Sequence, residues 1–72
     1  MSDDLNRTAA DLDAVVDELE RAARHARTAA GHFRDGLVPR GCAHILSVEG
    51  HLLNARGLLG RVAIAHAAHS TP

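Results

Sequence analysis

Apolar side chains recur every seven residues along the first half of the chain. Leu5, Leu12, Leu19, Ala26 and Phe33 make one series, and Ala9, Val16, Ala23 and Ala30 a second, offset by four. Steps of three and four keep both series on one face of an α-helix, which turns 100° per residue. Ser2 or Asp3 can cap the start by accepting a free backbone N–H, and Asp3 and Asp4 suit the positive end of the helix. Phe33 keeps the register, so the stop falls near Asp35–Gly36, where glycine can adopt the left-handed conformation that ends a helix. Pro39 fits the first turn of a second helix, where its missing N–H costs nothing.

The spacing therefore predicts an all-α hairpin of two long helices, about 3–35 and 40–69, forming one domain over residues 1–72. Residues 36–39 make a tight connection. Within it, Leu37-Val38-Pro39-Arg40-Gly41 resembles a thrombin cleavage sequence, so the turn is expected to be exposed and open to nicking.

The second helix carries two apolar stripes. One runs Ile45, Val48, Leu52, Ala55, Leu59, Val62, His66, His69; the other runs Leu46, Gly50, Leu53, Gly57, Gly60, Ile64, Ala67. Glu49 and Arg56 separate them on one side, Ser47, Asn54 and Arg61 on the other. A helix with two apolar faces must bury both, and the first helix covers only one. The first stripe is expected to meet the first helix. The second, with Leu46, Gly50, Leu53, Gly57, Gly60 and Ile64, is the expected interface with another copy, or alternatively with a larger protein partner. Each glycine in a helix interior costs roughly 1 kcal/mol relative to alanine, which close approach of another helix would offset.

Size points the same way. The chain has 72 residues, of which 14 are alanine and one, Phe33, is aromatic. A chain this short buries only about 60% of its unfolded surface and usually leans on disulfides, a metal or a partner. Cys42 is the single cysteine, so no internal disulfide can form. Pairing two hairpins into a dimeric four-helix bundle supplies the missing core.

Six histidines are the chemical candidates. His25 and His32 are seven apart, as are His44 and His51. A hairpin turning near Val38 sets His32 across from His44 and His25 across from His51, two rungs roughly 10 Å apart on one flank. Paired imidazoles can hold zinc, copper or nickel, or ligate haem iron, with Cys42 or a second copy completing the set. His66 and His69 share a face near the chain end. The alternative for the four-histidine set is a boundary between core and solvent, sensitive to protonation near pH 6.

No His-Glu-x-x-His, Cys-x-x-Cys, Glu-x-x-His or phosphate-binding glycine loop is present, and no catalytic set can be assembled. The expected function is a small non-enzymatic regulatory or accessory module working through helix association, with no cofactor required. The alternative is a histidine-based metal- or haem-binding bundle for storage, sensing or delivery.

Residues 1–20 hold seven acids against Arg7, while Arg21, Arg24, Arg27, Arg34 and Arg40 dominate residues 21–40. The helix dipole accounts for that sorting, and the net charge of −1 gives no field toward nucleic acid. Without an apolar run of 18 residues or an export signal, no membrane contact is expected and a cytoplasmic location is.

Overall fold

In the computed structural model the chain forms two α-helices, α1 (Ser2–Arg34) and α2 (Val38–Ser70), packed antiparallel. The structure describes residues 2–70, with side chains described for 3–67. The hairpin measures 56 × 17 × 12 Å, so it is one pair of helices lying side by side. No described helix is long and apolar enough to cross a membrane.

The turn forms for local reasons. Gly36 has φ 75°, in the left-handed region. Its N–H donates to the carbonyl of Phe33 at 3.1 Å, and the N–H of Leu37 donates to the carbonyl of His32 at 2.8 Å. These two bonds make a Schellman cap and satisfy carbonyls the helix end would leave free. The carbonyl of Leu37 then accepts from the N–H of Gly41 at 3.0 Å, which starts α2. Pro39 sits within that first turn. The connection is 35–37 rather than the expected 36–39, because α2 begins at Val38; the thrombin-like bond after Arg40 lies inside α2 with Gly41 buried, and of that sequence only Leu37 is in the turn.

Gly41 is buried because the ring of Phe33 lies over it. A Cβ at position 41 would come within 2.6 Å of that ring, closer than two carbons can approach. The only aromatic residue thus folds back across the turn onto a position where only glycine leaves room.

The seam between the helices differs from the sequence expectation. The best-buried apolar side chains are Val15, Ala22, Ala29 and Ala55, at 3–6% exposure, and none of those described is sealed completely. Around them, Asp11, Glu18, His25 and His32 of α1 and His44, Val48, His51, Leu58 and Val62 of α2 are half-buried. The seam of α1 is therefore Thr8, Asp11, Val15, Glu18, Ala22, His25, Ala29 and His32. It keeps the expected steps of three and four but is rotated by one strip from the leucine series. Alanine wins the seam because its small side chain lets the helices approach closely, and the polar strip beside it finds partners across the gap.

The leucine series is displaced to the flank. Leu12, Leu19 and Phe33 of α1 and Ile45, Leu52 and Leu59 of α2 are each 40–47% exposed. On α1 they sit beside Val15, Ala22 and Ala29, on the side away from Glu18 and His25. On α2 they sit beside Val48, Ala55 and Val62, away from His44 and His51. Both polar strips meet on one side of the seam, so both leucine strips lie on the other. The hairpin is amphipathic as a whole, with one leucine face and one histidine face.

Small size at the seam is testable. Ala55→Leu should force the helices apart and cost about 1–3 kcal/mol, as overpacking usually does. Leu53→Ala, on the solvent side of the same helix, should change stability by less than about 0.5 kcal/mol. Urea denaturation followed by circular dichroism compares the two.

Candidate functional site: a file of histidines along the seam

The two expected histidine rungs form. His32 and His44 stack with ring centroids 5.4 Å apart and planes at 27°. His25 and His51 stack at 5.4 Å and 19°. A diagonal contact joins the rungs: the His25 and His44 rings lie 5.2 Å apart, tilted by 34°, with their Nδ1 atoms at 2.9 Å. The sequence reading missed this diagonal. Its source is the antiparallel offset, which sets His25 between His44 and His51.

The file ends on a carboxylate. His51 Nδ1 donates to Glu18 Oε2 at 2.6 Å, a short charge-assisted bond. The order along the seam is His32, His44, His25, His51, Glu18. Glu18 was not singled out in the sequence, although it lies one heptad before His25 on the same strip and was legible by the same count.

Each end of this file has its own electrostatics. The bond from His51 holds the Glu18 carboxyl below its usual range; the side chain of Asn54 and the charges of His51 and Arg21 act in the same direction, against partial desolvation. Arg21 also bonds Asp17 at 3.2 Å on the exposed side of α1. Further along, Arg61 donates to Asp11 at 3.1 Å and ties the open half of the hairpin across the seam.

Metal binding makes a stricter geometric demand. Metal–imidazole bonds lie in the ring plane along the nitrogen lone pair, so stacked rings aim their nitrogens side by side rather than at one point. Two nitrogens on a tetrahedral zinc stand about 3.3 Å apart, given metal–nitrogen bonds of about 2.0–2.1 Å. The 2.9 Å between His25 and His44 is a hydrogen-bond distance. Among the described residues no three His, Cys, Asp or Glu side chains are placed to hold a metal ion. Cys42 is exposed. His66 is exposed on α2, and the side chain of His69 lies outside the described residues.

The expected interface residues Leu46, Gly50, Leu53, Gly57, Gly60 and Ile64 all lie on the outer face of α2 and are exposed. Leu46, Leu53 and Ile64 reach 67–73% exposure. A Cβ at Gly50, Gly57 or Gly60 would meet nothing within 4 Å, so the hairpin itself does not require glycine there. The premise behind that expectation was that α1 covers the other stripe of α2. It covers Val48, Ala55 and Val62 but leaves Ile45, Leu52 and Leu59 open.

No protein-family model matches the chain, and neither the curated proteins nor the solved structures yield a match.

The Glu18 bond has a pH signature. A carboxyl held below its usual range stabilises the fold above that range and loses its contribution as pH falls through it. Glu18→Gln should therefore lower the unfolding midpoint at about pH 7. The gap to wild type should close only below the ordinary carboxylate value of about 4.3. Unfolding midpoints of both proteins across that range test this.

Proposed function

We propose that the protein is a non-enzymatic interaction module whose hairpin pairs with a second copy through its leucine face. The surface area carries this reading. The chain exposes 5351 Å², whereas a compact monomer of 7.6 kDa exposes about 4,300 Å² by the usual mass scaling. The excess, about 1,000 Å², matches what one partner hides in a standard stable interface, about 800 Å² or more. Burying Leu12, Leu19, Phe33, Ile45, Leu52 and Leu59 against the same residues of another copy would provide the core that the alanine seam lacks.

Charge favours one arrangement of the two copies. The open half of the hairpin holds Asp3, Asp4, Asp11, Asp13, Asp17, Glu18 and Glu20 against Arg7, Arg56 and Arg61. The turn half holds Arg21, Arg24, Arg27, Arg34 and Arg40 against Asp35 and Glu49. One half is net negative and the other net positive. Copies with their turns at opposite ends bring unlike halves together, while turns at the same end bring like halves together. The proposed assembly is a four-helix bundle with its turns at opposite ends.

Sedimentation equilibrium tests the assembly, and charge insertion tests the face. Wild type should sediment at twice the chain mass. Leu19→Asp and Leu52→Asp should each shift it toward the monomer, and Leu53→Asp should not. A monomer with Leu53→Asp alone would move the interface to the outer face of α2.

The single exposed cysteine reports the arrangement. Cys42 lies near the turn, about 11 residues from mid-hairpin, so opposed turns separate the two labels by about 30 Å or more at 1.5 Å per residue. Electron–electron distance measurement on a spin label at Cys42 should give that separation, and oxidation should not cross-link the dimer. Rapid disulfide formation between copies would show the turns at the same end.

A further inference from the structure

We infer that the histidine file is a proton-operated latch, in which acidification opens the turn-proximal half of the hairpin seam. The inference concerns one hairpin and does not depend on self-association.

The limit on protons follows from the geometry. The bond between His25 Nδ1 and His44 Nδ1 at 2.9 Å needs one N–H and one lone pair. It survives with one of the two rings charged, and it is lost when both are. The same restriction spreads along the file, because each ring lies within 5.2–5.4 Å of the next. Neighbouring imidazolium rings repel at that distance, so charging adjacent rings works against the closed seam. His51 differs from the other three rings in having a carboxylate partner, Glu18. The closed seam therefore has less room for protons than four separated rings.

Other charges do not relieve this. Glu18 is bonded to His51, and Asp11 is bonded to Arg61. Arg21 faces Glu18 and adds positive charge. At the turn end, Asp35 and Arg40 flank the file by helical register with opposite charges, and both are exposed. No carboxylate bonds to His25, His32 or His44 among the described hydrogen bonds and ion pairs.

The weak point lies beside those three rings. There the apolar strip is Ala22, Ala29 and Val48, which offer little buried area to resist repulsion, and Phe33 covers Gly41 only at the turn itself. The other half of the hairpin has Val15, Leu58 and Val62 and the Arg61–Asp11 bond. Acid should therefore part the seam along Ala22, Ala29 and Val48, between the turn and the middle of the hairpin.

The sign is set by linkage. A fold that binds fewer protons than its unfolded chain loses stability as pH falls, by about tenfold in the folding constant per pH unit for each proton excluded. The test is urea unfolding at fixed protein concentration, with chelator, between about pH 7.5 and about pH 5, where histidine titrates. The variants are His25→Gln with His44→Gln, His32→Gln alone, and His66→Gln as a control. Wild type and His66→Gln should lose between about tenfold and about a hundredfold per pH unit at the acid end. The double variant should lose at least tenfold less, and His32→Gln should fall between. If the double variant does not fold, His32→Gln carries the comparison.

Hydrogen exchange at about pH 5 should show faster exchange in 25–34 and 38–48 than in 10–20. Equal slopes in wild type and the file variants would overturn the latch. So would a wild-type midpoint raised by zinc ion at about pH 7.5 and not raised in the double variant, which would make the file a metal site.

Discussion

Close approach of two helices along a strip of alanine is the constraint on which the rest of this structure depends. Ala22, Ala29 and Ala55, with Val15, are the best-buried side chains, and they are small. A seam of small residues brings the two backbones together but hides little apolar area. It also draws in the side chains on its flank, which must then find partners across a narrow gap. Histidine suits that position: its ring is flat enough to stack and polar enough to hydrogen-bond at its edge.

That choice of seam divides the surface of the hairpin. With the polar strips facing each other on one side, the leucine strips are pushed together on the other. The leucine face is then continuous over both helices and open to solvent. A single pair of helices has no third layer to cover it. The large apolar surface and the histidine file are therefore two consequences of one packing decision. They occupy opposite flanks, so a partner on the leucine face leaves the histidine file accessible to protons from solvent.

Several features were legible in the sequence because they are local. The Schellman turn at Gly36 and the position of Pro39 follow from backbone chemistry over a few residues. The two histidine rungs follow from counting back from the turn, since an antiparallel hairpin pairs residues at a nearly constant sum. Val48, Ala55 and Val62 were also read on the stripe that meets α1. The stripe on α1 was not read correctly. Leu12, Leu19 and Phe33 are the larger apolar side chains, yet Val15, Ala22 and Ala29 occupy the seam. A periodic apolar stripe says that a face will be buried, not which neighbour buries it. Both stripes on α1 have the same spacing and lie side by side, so periodicity could not choose between them.

What the sequence determined by itself is the pair of long helices, where they stop, and that more apolar surface exists than two helices can hide. Heptad spacing, a left-handed glycine and a proline in a first turn are enough for that, because each acts within one or two turns of chain. Only the tertiary structure decided the rotation of each helix about its own axis. That rotation placed alanine and histidine inside and leucine outside. It joined His25 to His44 and His51 to Glu18, and it laid Phe33 over Gly41. The physical reason is that rotation is set by how closely two whole surfaces can approach and by which polar groups then find partners. Neither quantity exists until both helices are in place.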